Sequence, residues 1–293
     1  MTASTTGRNN SNRQYSKHMT NITISFRKPL ALLAMAAALL TSCSQDDSAV
    51  SANNGGAMPL KVLVGQAGWG IKSATRAAYS SHSLSGGCIN LPMDFTSGDA
   101  IGIYAVDETG KVTVANRKYY YDGTQWTSDD PIENYLGLYF CDFFAYYPWK
   151  ESPTGAPAAG STQDITSADT FFAGLVTAWT PSADQSTLAA FTGSDLMTAK
   201  GTVSHAMVAS FTLAHKMGLL VTKPVLTFYD YDNPSDTWTV TQSFTGSIPY
   251  AIGDFRYYLA RPGASVTLGS KTTSLASGQA EQLYFTGGEP SHR

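Results

Sequence analysis

Residues Leu138–Trp149, LYFCDFFAYYPW, limit the fold more than any other stretch. Aromatic rings crowd them at a density that no solvated loop carries. Phe143, Ala145 and Tyr147 share one parity, and Phe144 and Tyr146 share the other, so a strand here presents apolar side chains on both faces. Pro148 then stops it, because proline cannot donate to a ladder. A strand covered on both faces needs packed layers around it, and the rest of the chain is read as β-strands arranged about this one.

The flanking sequence supplies them. Pro59–Gly65 is rich in branched residues and predicts a short strand. A Gly98-Asp99 turn leads into a strand over Ala100–Val106; Asp107–Gly110 turns the chain, and Lys111–Ala115 returns as its hairpin partner. Asn116–Tyr121 predicts another strand, closed by Asp122-Gly123, with Trp126 beyond. Ser128–Gly137 is a linker, and the Pro, Gly, Ala and Ser of Glu151–Ser167 predict a surface excursion. Around Leu196-Met197 a single turn is expected. In Val203–Val221, the residues Phe211, Leu213, His215, Met217, Leu219 and Val221 share one parity, which predicts a strand or two. Composition shifts after Val221, where Val225–Tyr231, Trp238–Phe244 and Phe255–Leu259 read as strands of a second β unit. About 70 residues is short for a seven-strand sandwich, so this unit is small or incomplete. Charged residues make up 14% and aromatics 12% of the chain, a balance that suits half-buried pleated surfaces.

The N-terminal region has a different character. Arg27 and Lys28 precede the eleven apolar residues Leu30–Leu40, a run too short to cross a bilayer, which takes roughly 20 residues. Leu40-Thr41-Ser42-Cys43 follows and resembles a bacterial lipobox, in which the cysteine thiol is lipidated before cleavage on its N-terminal side. Met19 is read as the start of translation. Ser44-Gln45-Asp46-Asp47 resembles the surface-export signal of lipoproteins in gut and oral Gram-negative anaerobes, and Val50–Ala57 is read as a flexible tether. Five of the 19 basic residues and no acid precede Cys43, which leaves 14 basic against 22 acidic residues, about −8, in the remainder. Phosphate binding needs a basic patch, so this balance excludes nucleic acid as a partner.

Chemistry-bearing constellations are sparse. Cys88 and Cys141 could form a disulfide after export, or Cys141 could act as a small buried hydrophobe within its strand. The five histidines (His18, His82, His205, His215, His292) have no ligand-like spacing to these cysteines or to each other, and no metal or other cofactor is expected. Asp99, Asp142, Asp184 and Asp195 sit beside turn-forming residues rather than in a cation loop, and His215 on an apolar parity is read as a satisfied core histidine. There is no nucleophile elbow and no phosphate loop. No catalytic residue is assigned, and the chain is read as a non-enzyme. A surface glycan-binding lipoprotein is the alternative reading, with Trp69, Trp126, Trp149, Trp179 and Trp238 stacking on sugars.

Taken in order, the body motifs resemble the fimbrillin-like family of type V pilus subunits. They are Thr75-Arg76-Ala77, Phe95–Ala105, Tyr121-Asp122-Gly123 with Trp126, Asp142–Pro148, Asp184-Gln185-Ser186, Ser194-Asp195-Leu196-Met197 and Phe211 with His215-Lys216-Met217. The resemblance spans Pro59 to Val221 and thins beyond it to Tyr257-Tyr258 and Pro262-Gly263. It implies an all-β fold of two transthyretin-like β-sandwiches. The expected organisation is a leader and signal peptide over 1–42, a lipidated tether over 43–57, an N-terminal sandwich over 58–222 and a C-terminal β domain over 223–293. It also implies an outer-membrane, surface-exposed lipoprotein anchored through Cys43 and built into a fimbrium. Cleavage by an Arg-type protease would remove the first strand, and a neighbouring subunit's strand would fill the groove. Arg76, the sole arginine between Cys43 and Arg117, is the candidate cleavage residue. The implied partners are other pilus subunits, that protease, the membrane, and a host or bacterial surface ligand. Family donor strands come from the chain end, and Gly287–Arg293 makes a poor strand. Either the chain continues past Arg293, or the subunit accepts a strand without donating one, as a tip adhesin would.

Overall fold

The computed structural model describes residues 59–71, 94–133, 141–204, 207–229, 233 and 235–283. At its centre lies the aromatic strand. In chain order the first strands are β1 (Lys61–Gln66), β2 (Gly70–Ile71), β3 (Ala100–Val106), β4 (Val112–Tyr121), β5 (Trp126–Thr127), β6 (Asp142–Tyr147), β7 (Met197–Val203) and β8 (Val208–His215). All but β2 pair into a closed barrel in the order β1-β5-β4-β3-β6-β7-β8. Neighbours run antiparallel except β1 and β8, which are parallel and close the ring.

Both faces of β6 are buried, as its alternation requires. Phe143, Ala145 and Tyr147 point into the barrel beside Ile101, Ile103, Ala105, Met197, Phe211 and Leu213. Phe144 and Tyr146 point outward, yet both are fully buried. Three short helices from the long β6–β7 connection help to cover them: α1 (Ala168–Phe171), α2 (Ala173–Ala178) and α3 (Leu188–Thr192). Phe171 lies flat on Phe144, with ring centroids 4.0 Å apart, and Phe172 meets Tyr146 edge-on. Ser167 caps α1 and Thr187 caps α3 through their side-chain oxygens.

Two local expectations differ from the structure. Lys111–Ala115 and Asn116–Tyr121 are not separate strands; β4 is continuous, and its register against β3 shifts between Ile103 and Val106. Asn116 absorbs the irregularity with φ of 50°, and its side chain donates to the Lys150 and Glu151 carbonyls while accepting from the Tyr146 hydroxyl. Asparagine tolerates this left-handed conformation better than most residues. At Leu196-Met197 the expected single turn is instead the entry into β7, because Met197, Thr198 and Ala199 pair with Tyr147, Tyr146 and Ala145.

The remaining strands are β9 (Gly218–Thr222), β10 (Val225–Tyr229), β11 (Thr237–Thr241), β12 (Tyr250–Ile252), β13 (Phe255–Ala260), β14 (Ser265–Leu268), β15 (Lys271–Ser274) and β16 (Gln279–Leu283). A five-stranded sheet has the order β12-β13-β9-β16-β2, and β10-β11 and β14-β15 form hairpins. The fold is therefore all-β with a sandwich-like arrangement of sheets. Two strands from the stretch assigned to the N-terminal sandwich, β2 and β9, pair in this second sheet. Only Lys216 and Met217 separate the end of β8 in the barrel from β9 in the sheet. Leu219, Val221, Tyr257 and Leu259 share one core with Phe144 and Tyr146, so apolar packing continues from the barrel to the sheet. Gln185, fully buried, stands in for a strand beside β13: its amide donates to the Leu259 carbonyl at 2.8 Å and accepts from the Leu259 N–H at 2.9 Å.

Candidate functional site

β1 is held in the barrel mainly along one of its two edges. Along one edge it pairs with β8 at six positions, from Lys61 opposite Val208 to Gln66 opposite Leu213. Along the other edge it meets β5 at one position, Val62 opposite Trp126. Leu60 and Val62 are buried in the barrel, whereas Leu63 on the opposite parity is 60% exposed. Where β1 and β5 diverge, an open cleft of about 390 Å³ lies between Leu63, Val64, Tyr121, Gln125, Trp126 and Phe211. Further pairing extends the attachment beyond the ends of β1: the Leu60 N–H donates to the Ile132 carbonyl, and the Ala67 N–H to that of Leu213.

Beyond Ala67 the chain crosses from the barrel to the second sheet. β2 joins the outer edge of that sheet, with Gly70 opposite Gln279 and Ile71 opposite Ala280. Residues 59–71 are thus one extended segment pairing with β8 in the barrel and with β16 in the sheet. At about 3.3 Å per residue such a segment reaches roughly 40 Å.

At the crossing Trp69 lies flat on His215, with ring centroids 3.8 Å apart and planes 14° from parallel. The His215 side chain is 2% exposed, and its Nδ1 is 2.9 and 3.0 Å from the two Asp195 carboxylate oxygens. Burial pushes the Asp195 carboxyl above its usual range, and the hydrogen bond and charge of His215 oppose that shift. The other ring nitrogen, Nε2, is buried with no hydrogen-bond partner among the described residues. His215 is therefore half satisfied, where the sequence suggested full satisfaction. Nothing in the spacing of Trp69, Asp195 and His215 announced the cluster; pairing of β7 with β8 and the run of residues 59–71 along β8 bring the three together.

The other candidate residues are dispersed. Cys43, Cys88 and Arg76 lie outside the described residues, Arg76 five positions after Ile71. Cys141 is half-buried before β6, and burial pushes its thiol up. Asp99 accepts from the Thr96 N–H and the Tyr147 hydroxyl, and Asp184 accepts from the Ser186 N–H, both as turn residues do. Asp142 pairs with Lys200 at 3.2 Å. Among the described residues no cluster of His, Cys, Asp and Glu could hold a metal. Of the five tryptophans, Trp179 is buried and Trp69, Trp126 and Trp149 are half-buried; Trp238, stacked on Phe228 in the β10-β11 hairpin, is 50% exposed.

Comparison with known proteins adds to this picture. A curated relative from Bacteroides ovatus, described as the fimbrium tip subunit Fim1C, is 34% identical over 140 residues, which is 46% of this chain and 25% of the relative. A crystal structure of a fimbrial protein from Bacteroides ovatus aligns with a TM-score of 0.53 at 23% identity, covering 78% of this chain and 48% of that one. The chain thus spans about a quarter of the curated relative's length and about half of the solved protein's. The family model described as fimbrillin-like matches residues 75–251, more than half of the chain and beginning one residue before Arg76. The chain belongs to the fimbrillin-like family.

Proposed function

We propose that this chain is a fimbrial subunit carried to the cell surface as a lipoprotein through Cys43 and assembled by strand replacement. Cleavage after Arg76 detaches residues 59–71 covalently from the body, and an extended strand of a neighbouring subunit then takes their place along β8 and β16. The observation that supports this reading is the position of that segment. It precedes Arg76 and pairs into both sheets. On its second edge in the barrel, among the described residues, two bridge positions, Pro59 opposite Glu133 and Val62 opposite Trp126, and the Leu60 N–H bond to the Ile132 carbonyl hold it, against six paired positions along β8. Strand addition draws its affinity from main-chain hydrogen bonds and its register from alternate side chains in pockets. The segment's departure would leave the β8 edge unpaired next to the apolar barrel interior, a strong template for another strand.

The test is to incubate the exported protein, wild type and Arg76→Ala, with an arginine-specific protease and to run the products in detergent without boiling. Ladders from the wild type alone support the reading. A monomer left intact, or one cut at Arg76 without ladders, refutes it.

A further inference from the structure

Alternating apolar side chains alone set strand register poorly. A slip of two residues returns every side chain to its own face, so Leu60, Val62 and Val64 define which face is inward better than they define position along the groove. The sequence of the segment, PLKVLVGQAGWGI, contains one aromatic residue, Trp69, with small residues on either side of it. That ring lies on the one buried histidine–carboxylate pair of the groove. The pair is desolvated, and its Nε2 has no partner among the described residues, so uncovering it admits water to groups now shielded by the indole.

From this we infer that the His215 imidazole, held by Asp195, is the register-reading subsite of the groove. It takes the flat face of an aromatic ring, supplied by Trp69 in the uncut chain and by the incoming strand of a second subunit after exchange. The partner is an extended segment with branched apolar residues at three alternate positions and an aromatic ring five residues beyond the last of them, the spacing of Val64 to Trp69. This rests on the strand-replacement reading above.

The test uses the full chain cut by an arginine-specific protease and dye-labelled synthetic peptides of residues 59–71, with binding read by fluorescence polarisation. Against the native peptide, Trp69→Phe should bind within about threefold. Trp69→Ala, and a peptide with the ring moved two places by Ala67→Trp with Trp69→Ala, should each bind about tenfold more weakly, the scale of one aromatic contact. On a chain carrying His215→Ala the native and Trp69→Ala peptides should bind alike. Equal binding of all peptides to the wild-type chain overturns the subsite. If no peptide binds, strand replacement itself fails, and the subsite is judged in the uncut chain by backbone amide exchange over residues 59–71. There Trp69→Ala should exchange about tenfold faster than wild type and Trp69→Phe should not; equal rates in all three overturn it.

Discussion

If residues 59–71 are the replaceable element, their hold on the body should be separable from the stability of the body itself. Leu60 and Val62 are the segment's two buried anchors, 3% and 5% exposed, while most of the remaining barrel core lies on β3, β6, β7 and β8. Leu60→Ala in a packed site costs about 2–5 kcal/mol, and truncating Val62 removes two further methyl groups at about 0.8 kcal/mol each before any cavity cost. Together they weaken the attachment by about 4–7 kcal/mol, which at 1.4 kcal/mol per factor of ten raises the open population by about three orders of magnitude or more. Native-state amide exchange read by mass spectrometry checks this in the uncut double variant. Peptides covering 59–71 should exchange faster by about that factor, while those covering β3 and β6 should change far less. Equal acceleration of β1 and β6 would refute the reasoning, since it would make β1 part of the same cooperative unit as the aromatic strand. So would no acceleration at all.

Three further outcomes follow from the packing. A Cβ on Gly102 would stand 2.2 Å from the buried Tyr146 ring and 2.6 Å from Asn116 Oδ1, so Gly102→Ala should cost about 2–4 kcal/mol in denaturant unfolding through overpacking and the lost Tyr146–Asn116 hydrogen bond. Gln185→Leu leaves the Leu259 N–H and C=O without their side-chain partner, and should cost about 2–5 kcal/mol in the same assay. Burial pushes the Tyr146 phenol up to about 12, above its unfolded value near 10. The native state therefore retains the neutral phenol, and this contribution to stability is whole below about pH 10 and lost as pH rises towards 12. Phenolate absorbance should show Tyr146→Phe lacking a late-titrating group, and alkaline unfolding of that variant should be less steep between those limits.

How much of this was legible depended on whether a signal was local. The two apolar faces of β6 stand in five consecutive residues, and both proved buried. The hairpin around Asp107–Gly110 and the strands near Val225, Trp238 and Phe255 were readable for the same reason, as alternation bounded by turn residues. The change of sheet at Lys216-Met217 was not, because the parity of Phe211 to Val221 runs on unbroken across it. β16 was hidden by its polar residues, Gln279, Glu281 and Gln282, in a strand that nevertheless has β9 on one side and β2 on the other. Gln185 serves as a substitute peptide group for Leu259, 74 positions away, and nothing in its neighbouring residues signals that role. The Trp69–His215–Asp195 cluster joins residues from three distant stretches, and no periodicity links them. Resemblance to the fimbrillin-like family pointed to the ends of the chain as decisive, and the segment ahead of Arg76 pairs into both sheets, which is the position that the proposed strand replacement requires.

The most direct measurement is a covalent lock. Leu63 and Ser210 face each other across the β1–β8 ladder, and both are solvent-exposed. Strand neighbours at about 4.8 Å lie within the Cα range that a disulfide spans. Leu63→Cys with Ser210→Cys therefore ties β1 to its groove without touching the barrel interior. Treated with an arginine-specific protease, the oxidised variant should be cut after Arg76 yet remain monomeric, and adding reductant should release detergent-stable ladders. Ladders of equal yield from the oxidised and reduced forms would contradict the account, because assembly would then proceed with the first strand still in place.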